Sequence, residues 1–245
     1  MTDEAGESSA QRRFRDLHRE GTFLLVNVAD QATAKAVAAT GAAALATSSA
    51  AHAETIGRAD AAGDVSLEEH AEHTAGIVAA TGLPVNVDAE NGYGHEPEDV
   101  AACIRRLAET GAAGAGIEDW SGDPERGFYD LDLAVARIEA AVETANALGE
   151  PFTVTGRTEC LLYEHPGGMD EALRRLQGFA SVGAHCLYAP GTWDMDAVTT
   201  VAQEAGGPVN VLALVGVERP TFDELAEAGV RRVSLGSSLF HAQIA

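Results

Sequence analysis

A chain of 245 residues with 46% hydrophobic content is long enough to enclose one sizeable core, and α/β barrels reach this length as a single domain. Its formal charge of −22 repels phosphate backbones and anionic headgroups, which argues against nucleic acid and membrane surfaces as partners. Cys103, Cys160 and Cys186 form no Cys-x-x-Cys, the first 20 residues lack an apolar signal core, and no run of about 18 apolar residues occurs, so a soluble cytoplasmic protein with reduced thiols is expected.

In chain order, residues 1–10 are expected to be disordered and residues 11–245 to form one domain. Gln11 to Glu20 reads as a short helix that turns Phe14 and Leu17 towards the body. Strands are then expected at Phe23–Val28, Ala43–Thr47, Pro84–Val87, Ala113–Glu118, Phe152–Thr155, His185–Tyr188, Val209–Ala213 and Arg232–Leu235. Amphipathic helices alternate with them at 30–40, 66–81, 97–110, 132–148, 169–181, 194–205 and 220–228. Gly41, Gly82, Gly111, Gly149, Gly183, Gly206 and Gly229 follow these helices, where a left-handed cap favours glycine. Eight strands alternating with helices predict a (β/α)8 TIM barrel. Ala245 comes only a few residues after Leu239-Phe240, which leaves a truncated or missing eighth helix.

Chemistry in such a barrel belongs to the loops that follow the strands. Two of these are long, 48–65 and 119–131, as functional lids often are. The most informative stretch is residues 83–94, where Asp88 and Glu90 follow an apolar strand and precede a Gly-Tyr-Gly turn. Side chains two apart on a strand share a face, so two carboxylates there predict an oxygen-ligand site for a divalent cation. A solvated acidic loop is the plainer alternative. Other strand ends add Thr47-Ser48-Ser49, Glu118-Asp119 and Arg157-Thr158-Glu159, with Asn210 near the start of the seventh strand. An acidic side facing Arg157 would receive a metal-bound oxyanion. Each residue also has a structural alternative: the serines and acids as caps, Arg157 as a counter-ion of Glu159 or Glu118.

Taken in order, Ala46-Thr47-Ser48-Ser49-Ala50, Gly57-Arg58-Ala59-Asp60, Asp88-Ala89-Glu90-Asn91-Gly92-Tyr93-Gly94, Gly116-Ile117-Glu118-Asp119, Gly156-Arg157-Thr158-Glu159, Pro208-Val209-Asn210-Val211 and Arg231 to Gly236 resemble the phosphoenolpyruvate mutase/isocitrate lyase superfamily. The resemblance runs over residues 11–243. It implies a barrel mouth that binds Mg²⁺ or Mn²⁺ and a small α-oxo acid or its enolate. By position, Asp60, Asp88, Glu90 and Glu118 resemble the metal-site carboxylates, with Asp88 the most direct. Arg157 resembles the arginine that grips the substrate carboxylate, and Ser48, Ser49 and Ala50 the segment that holds the other oxygens; Asn210 joins the substrate-binding set.

The departures bear on the reaction. Isocitrate and methylisocitrate lyases carry a cysteine-bearing Lys-Lys/Arg-Cys-Gly-His loop after the fourth strand, where this chain has Asp119 to Gly127 with no Cys, Lys or His. The phosphonomutase's Asn-Ser lid and nearby lysine are also missing, and Pro190 stands in place of its histidine. The resemblance therefore implies a metal-dependent lyase cleaving a C–C bond of an α-oxo or 2-hydroxy (di)carboxylate, with Glu118, Arg157 and Ser48 as catalytic residues. The alternatives are P–C chemistry on phosphonopyruvate and a catalytically inactive metabolite-binding homologue. The partner is thus a small-molecule oxo acid or phosphonate. The family's eighth helix is often exchanged between subunits, which leaves a homo-oligomer open.

Elsewhere, His70 and His73, one turn apart on a Glu-rich helix, read as a solvated face, and His95 as structural. His52 lies in the second long loop and Cys160 near the mouth without an adjacent base. Ser237 and Ser238 read as caps. Glu125 and Arg126 are the reactive groups of the fourth-strand loop.

Overall fold

The computed structural model describes residues 9–58, 64–191, 194–217 and 220–244. Eight parallel strands close into a barrel in sequence order. They are β1 (Phe23–Asn27), β2 (Ala44–Ala46), β3 (Val85–Asp88), β4 (Gly114–Glu118), β5 (Thr153–Arg157), β6 (Cys186–Tyr188), β7 (Val209–Leu212) and β8 (Arg232–Ser234). Each lies within a residue or two of its expected position. The helices are α1 (Ala10–Leu17), α2 (Gln31–Ala38), α3 (Ser49–Thr55), α4 (Leu67–Thr81), α5 (Pro97–Ala108), α6 (Leu131–Asn146), α7 (Gly168–Ser181), α8 (Met195–Glu204), α9 (Phe222–Glu227) and α10 (Ser238–Ile244). The expected disorder at the N-terminus falls on residues 1–8, outside the described residues. Ser9 and Ala10 are ordered, because the Ser9 side chain accepts the Arg12 N–H and caps α1.

Helix α1 closes the N-terminal end of the barrel. Phe14 is wholly buried and packs on Phe23, Leu25, Ala44, Ala46 and Ala113, a placement worth about 1.5–3 kcal/mol of apolar transfer. Its polar face is also used: Arg15 donates to the Phe152 carbonyl and the Thr153 hydroxyl, and Gln11 to the Gly111 carbonyl. The outer core fills the space between strands and helices, with Ile104, Leu107, Phe152, Leu176 and Phe179 among its largest members. This leaves the opposite end of the barrel open for chemistry.

Three local expectations are corrected. The 48–65 loop contains α3, nucleated by Ser48, whose Oγ accepts the Ala51 N–H. Gly149 is not left-handed, whereas the other six helix-end glycines are, because α6 stops at Asn146 and Ala147 already caps it. His70 is not on a solvated face: it is fully buried, and His73 is half-buried beside it. The polar neighbours Glu68, Glu69 and Glu72 disguise a helix whose inner stripe is His70, Ala71, Thr74 and Ile77.

Candidate active site

The open end holds a cavity of about 520 Å³ lined by Asn27, Ala46 to Ala50, Asp88, Glu90, Glu118, Arg157, Tyr188 and Asn210, among others. Alternation along the strands aims Asn86 and Asp88, Gly116 and Glu118, and Thr155 and Arg157 into it. The register places Glu118 opposite Arg157 and Asp88 opposite Gly116, which carries no side chain and leaves the centre clear.

Arg157 is the hub. Its Nη1 lies 3.2 Å from Asp88 Oδ1 and 3.0 Å from Glu118 Oε1, and its Nε donates to Glu159. The guanidinium also lies over the Tyr188 ring, 5.1 Å from the centroid. Burial opposes its charge, but Glu118, Glu159 and Asp88 more than offset this and hold its pKa well above the ordinary value. Burial raises the carboxyl groups of Glu118 and Glu159 above the usual carboxylate range, against the pull of Arg157. Glu159 is fully buried, and its Oε2 has no hydrogen-bond partner.

Asp88 is held from the other side by α3. The Ser49 N–H and Oγ donate to Asp88 Oδ2 at 3.1 and 3.0 Å. The Asp88 N–H donates to Thr47 Oγ1, which lies 3.2 Å from His70 Nε2, and His70 Nδ1 lies 2.6 Å from the Tyr93 hydroxyl. Glu90 follows the strand with φ of 47°, a left-handed conformation that costs a non-glycine residue about 1–2 kcal/mol. Asp88 therefore reaches the cavity from the end of β3 and Glu90 from the turn that follows, so the strand alternation invoked for both stops at Asp88.

Arg137 supports that turn. Buried in α6, it donates to the carbonyls of Gly94 and Asn91 and stacks on Tyr129, 4.1 Å from the ring centroid. The fourth-strand loop is braced by Asp119, whose Oδ1 accepts the Glu159 N–H and whose Oδ2 pairs with Arg175 at 3.1 Å. Asp119 thus positions β5 from outside the cavity.

The profile of the family described as phosphoenolpyruvate phosphomutase matches residues 14–245. The chain belongs to that family. It therefore sits within the phosphoenolpyruvate mutase/isocitrate lyase superfamily. A structure from Burkholderia cenocepacia J2315, provisionally described as a lyase/mutase, is 41% identical with a TM-score of 0.91, covering 96% of this chain and 84% of that one. A second from the same organism, provisionally described as a phosphonomutase, is 36% identical with a TM-score of 0.87, covering 96% and 94%. The 2-methylisocitrate lyase of Escherichia coli (strain K12) is 30% identical over 68% of this chain and 57% of its own length.

Within this member of the family, the residues expected at the site from sequence fall as follows. Ser48, Ser49, Ala50, Asp88, Glu90, Glu118, Arg157 and Asn210 all line the one cavity. Asn210 lies at its floor, donating to Ser234 Oγ and accepting from Arg232 Nε. Asp60 lies outside the described residues. Cys160 is buried, and burial pushes its thiol up to about 11, which removes it as a nucleophile. His95 is structural, with Nδ1 2.7 Å from the Tyr129 hydroxyl. Ser238 Oγ accepts the Val215 N–H, and the Leu235 and Gly236 N–H groups bond Asn27 Oδ1. Sequence reasoning offered Glu159 as a counter-ion of Arg157, and the structure pairs the two. It missed the Thr47, His70 and Tyr93 chain, which no spacing rule connects.

Proposed function

We propose that the protein is a divalent-metal-dependent enzyme that cleaves a C–C bond of a small α-oxo or 2-hydroxy acid through a pyruvate-like enolate. The observation that carries this is the Arg157 cluster: one guanidinium facing Asp88, Glu118 and Glu159 beside Ser48 and Ser49, at the catalytic end of a barrel of this family. The carboxylates outnumber the cation, so the cluster has room for positive charge. Among the described residues no three His, Cys, Asp or Glu side chains converge as a closed metal cage. Mg²⁺ keeps several waters and binds through one or two carboxylates, and Asp88, Glu90 and Glu118 line this cavity. Asp88 would hold the ion directly, and Glu90, Glu118 and Asp60 through water; Mn²⁺ fits the same donors.

A bound ion supplies positive charge beside the keto oxygen, where negative charge develops, worth several kcal/mol in the transition state. Arg157 exchanges a carboxylate partner for the substrate carboxylate, which its planar fork fits. Ser48 with the Ser49 and Ala50 backbone orients the remaining oxygens, Asn210 shapes the floor, and Glu118 is the group poised to carry a proton. A second reading, P–C bond chemistry on phosphonopyruvate, draws support from the phosphonomutase-like relative and from a fourth-strand loop without cysteine.

The test is a thermal melt with oxalate, a stable enolate mimic, with and without Mg²⁺. At 100-fold over its dissociation constant a ligand adds about 2.7 kcal/mol, a rise of roughly 5–11 °C for a domain of this size. A shift requiring both components, lost in Asp88→Ala, supports the site; no shift with both in excess rejects it and leaves an inactive binding homologue. Product assays on oxaloacetate and phosphonopyruvate then separate the two reactions.

A further inference from the structure

The cavity lining is of two chemical kinds. One is the acidic cluster around Arg157. The other is apolar, built by Trp120 and Pro124 after β4, Leu162 and Tyr163 after β5, Pro190 after β6 and Leu212 of β7. The indole of Trp120 lies against the Tyr163 ring at 4.8 Å and against Phe128 at 4.9 Å, and its backbone bridges that of Phe128, so the wall is pre-formed. Leu162 and Tyr163 remain 40% and 51% exposed at the mouth, leaving apolar surface for a ligand to cover.

Charge points the same way. Among the described residues lining the cavity the cations are Arg157 and Arg232. Arg157 already faces three carboxylates. Arg232 is 2% exposed on the floor, donating to Asn210 Oδ1 and Thr155 Oγ1, with Nη1 3.3 Å from His18 Nε2. A second substrate carboxylate would enter a field with Asp88, Glu90 and Glu118 and meet the Trp120 wall.

We infer that the substrate is a 4-hydroxy-2-oxo monocarboxylate whose apolar alkyl or aryl substituent on C4 packs on the Trp120, Leu162 and Tyr163 wall; the 4-hydroxyl proton passes by way of Glu118 to C3 as the C3–C4 bond breaks, giving pyruvate and an aldehyde that carries the substituent. The inference rests on the proposed oxo-acid site and specifies its substrate class. The α-oxo acid end occupies the Arg157 cluster, and the substituent takes the place that a distal carboxylate holds in a dicarboxylate.

The experiment is calorimetric titration of the full chain with Mg²⁺ and, in turn, oxalate, pyruvate, 2-oxobutyrate, 2-oxopentanoate and the isosteric pair 2-oxoglutarate and 5-methyl-2-oxohexanoate. Affinity is expected to rise about fourfold per buried methylene. The branched monocarboxylate is expected to bind at least about tenfold tighter than 2-oxoglutarate. Leu162→Arg should reverse that order when each affinity is divided by the same variant's oxalate affinity. Oxalate binding with a flat alkyl series, or with 2-oxoglutarate favoured, overturns the inference while keeping the metal site. Absence of oxalate binding removes both.

Discussion

Arg157 and Asp88 form an ion pair at 3.2 Å although their strands, β5 and β3, are separated by β4. Gly116 of β4, the register partner of Asp88, puts no long side chain between them. In this state the guanidinium is the internal counter-ion of the acidic cluster, and its loss leaves Asp88, Glu118 and Glu159 facing one another. Arg157→Ala is expected to cost about 3–5 kcal/mol in chelator, the scale for breaking a buried ion pair. Mg²⁺ should restore more stability to this variant than to the parent, because unpaired carboxylates gain more from a cation. Melts in chelator and in Mg²⁺ measure both effects, and an equal Mg²⁺ increment in the two proteins would contradict this account.

The turn bearing Glu90 depends on Arg137, whose fork reaches the carbonyls of Asn91 and Gly94 while its face lies on Tyr129. Lysine cannot reproduce a planar two-carbonyl contact. Both Arg137→Lys and Arg137→Ala are therefore expected to lose roughly 2–4 kcal/mol, since they leave buried carbonyls unpaired. Urea titration measures the loss. Near-full stability in the lysine variant would show that charge, and not the fork, holds the turn.

The barrel was legible from the chain because each βα unit announces itself: a β-branched or small apolar run, a polar strand end, an amphipathic helix, a glycine. Asp88, Glu118 and Arg157 were legible for the same reason, since strand ends in this fold point at one space. What the sequence hid is set by side-chain reach and burial. Arg157 reads both as a substrate fork and as a counter-ion of Glu159 or Glu118, and in the folded chain it is engaged by three acids, a choice that depends on distances of 3.0 and 3.2 Å. His70 and His73 were misread because their glutamate neighbours dominate the composition of α4. Helix α3 was missed because Ser49 to Thr55 is short and carries no long apolar stripe. Its start is fixed by the Ser48 cap and by the tertiary bond from Ser49 to Asp88.

Gly114, at the start of β4, is required for close strand packing. A Cβ there would lie 2.4 Å from the Thr153 carbonyl oxygen and 3.0 Å from Asn86 Oδ1, and backbone in a closed barrel has no room to yield. Gly114→Ala is expected to destabilise by several kcal/mol, above the roughly 1–3 kcal/mol typical of overpacking, because the clash is with backbone. Gly116 is the internal control: its nearest neighbours would be 3.9 and 4.0 Å away, so alanine there should cost under about 1 kcal/mol. Equal costs at the two positions would refute the packing argument.

Behind the site, His52 of α3 stacks on the half-buried His73 of α4, with centroids 3.8 Å apart, and the buried His70 completes the trio. Both ring nitrogens of His52 and Nε2 of His73 lack hydrogen-bond partners. Burial lowers the pKa of His70 to about 4 and of His73 to about 3, and lowers that of His52 as well. The surrounding charges are Asp88 near His70, Asp30 near His73, and Glu69 with Arg58 near His52. Because the folded values lie below the unfolded 6.5, the unfolded chain takes up protons first as the solution is acidified. Stability is therefore full above about pH 6.5 and falls towards pH 4, by at most about 1.4 kcal/mol per pH unit for each histidine. Glu118 and Glu159, with raised values, act in the opposite sense: they favour the folded state at low pH and less as pH rises. The histidine contribution is consequently read as a difference between variants. His52→Phe keeps the ring stack and removes two unpaired nitrogens, so it is expected to stabilise the protein by about 1 kcal/mol at pH 7 and by more at pH 5. Denaturant midpoints of the two proteins at both pH values measure this, and a stability difference that shrinks on acidification would mean that His52 is protonated and paired in the folded chain.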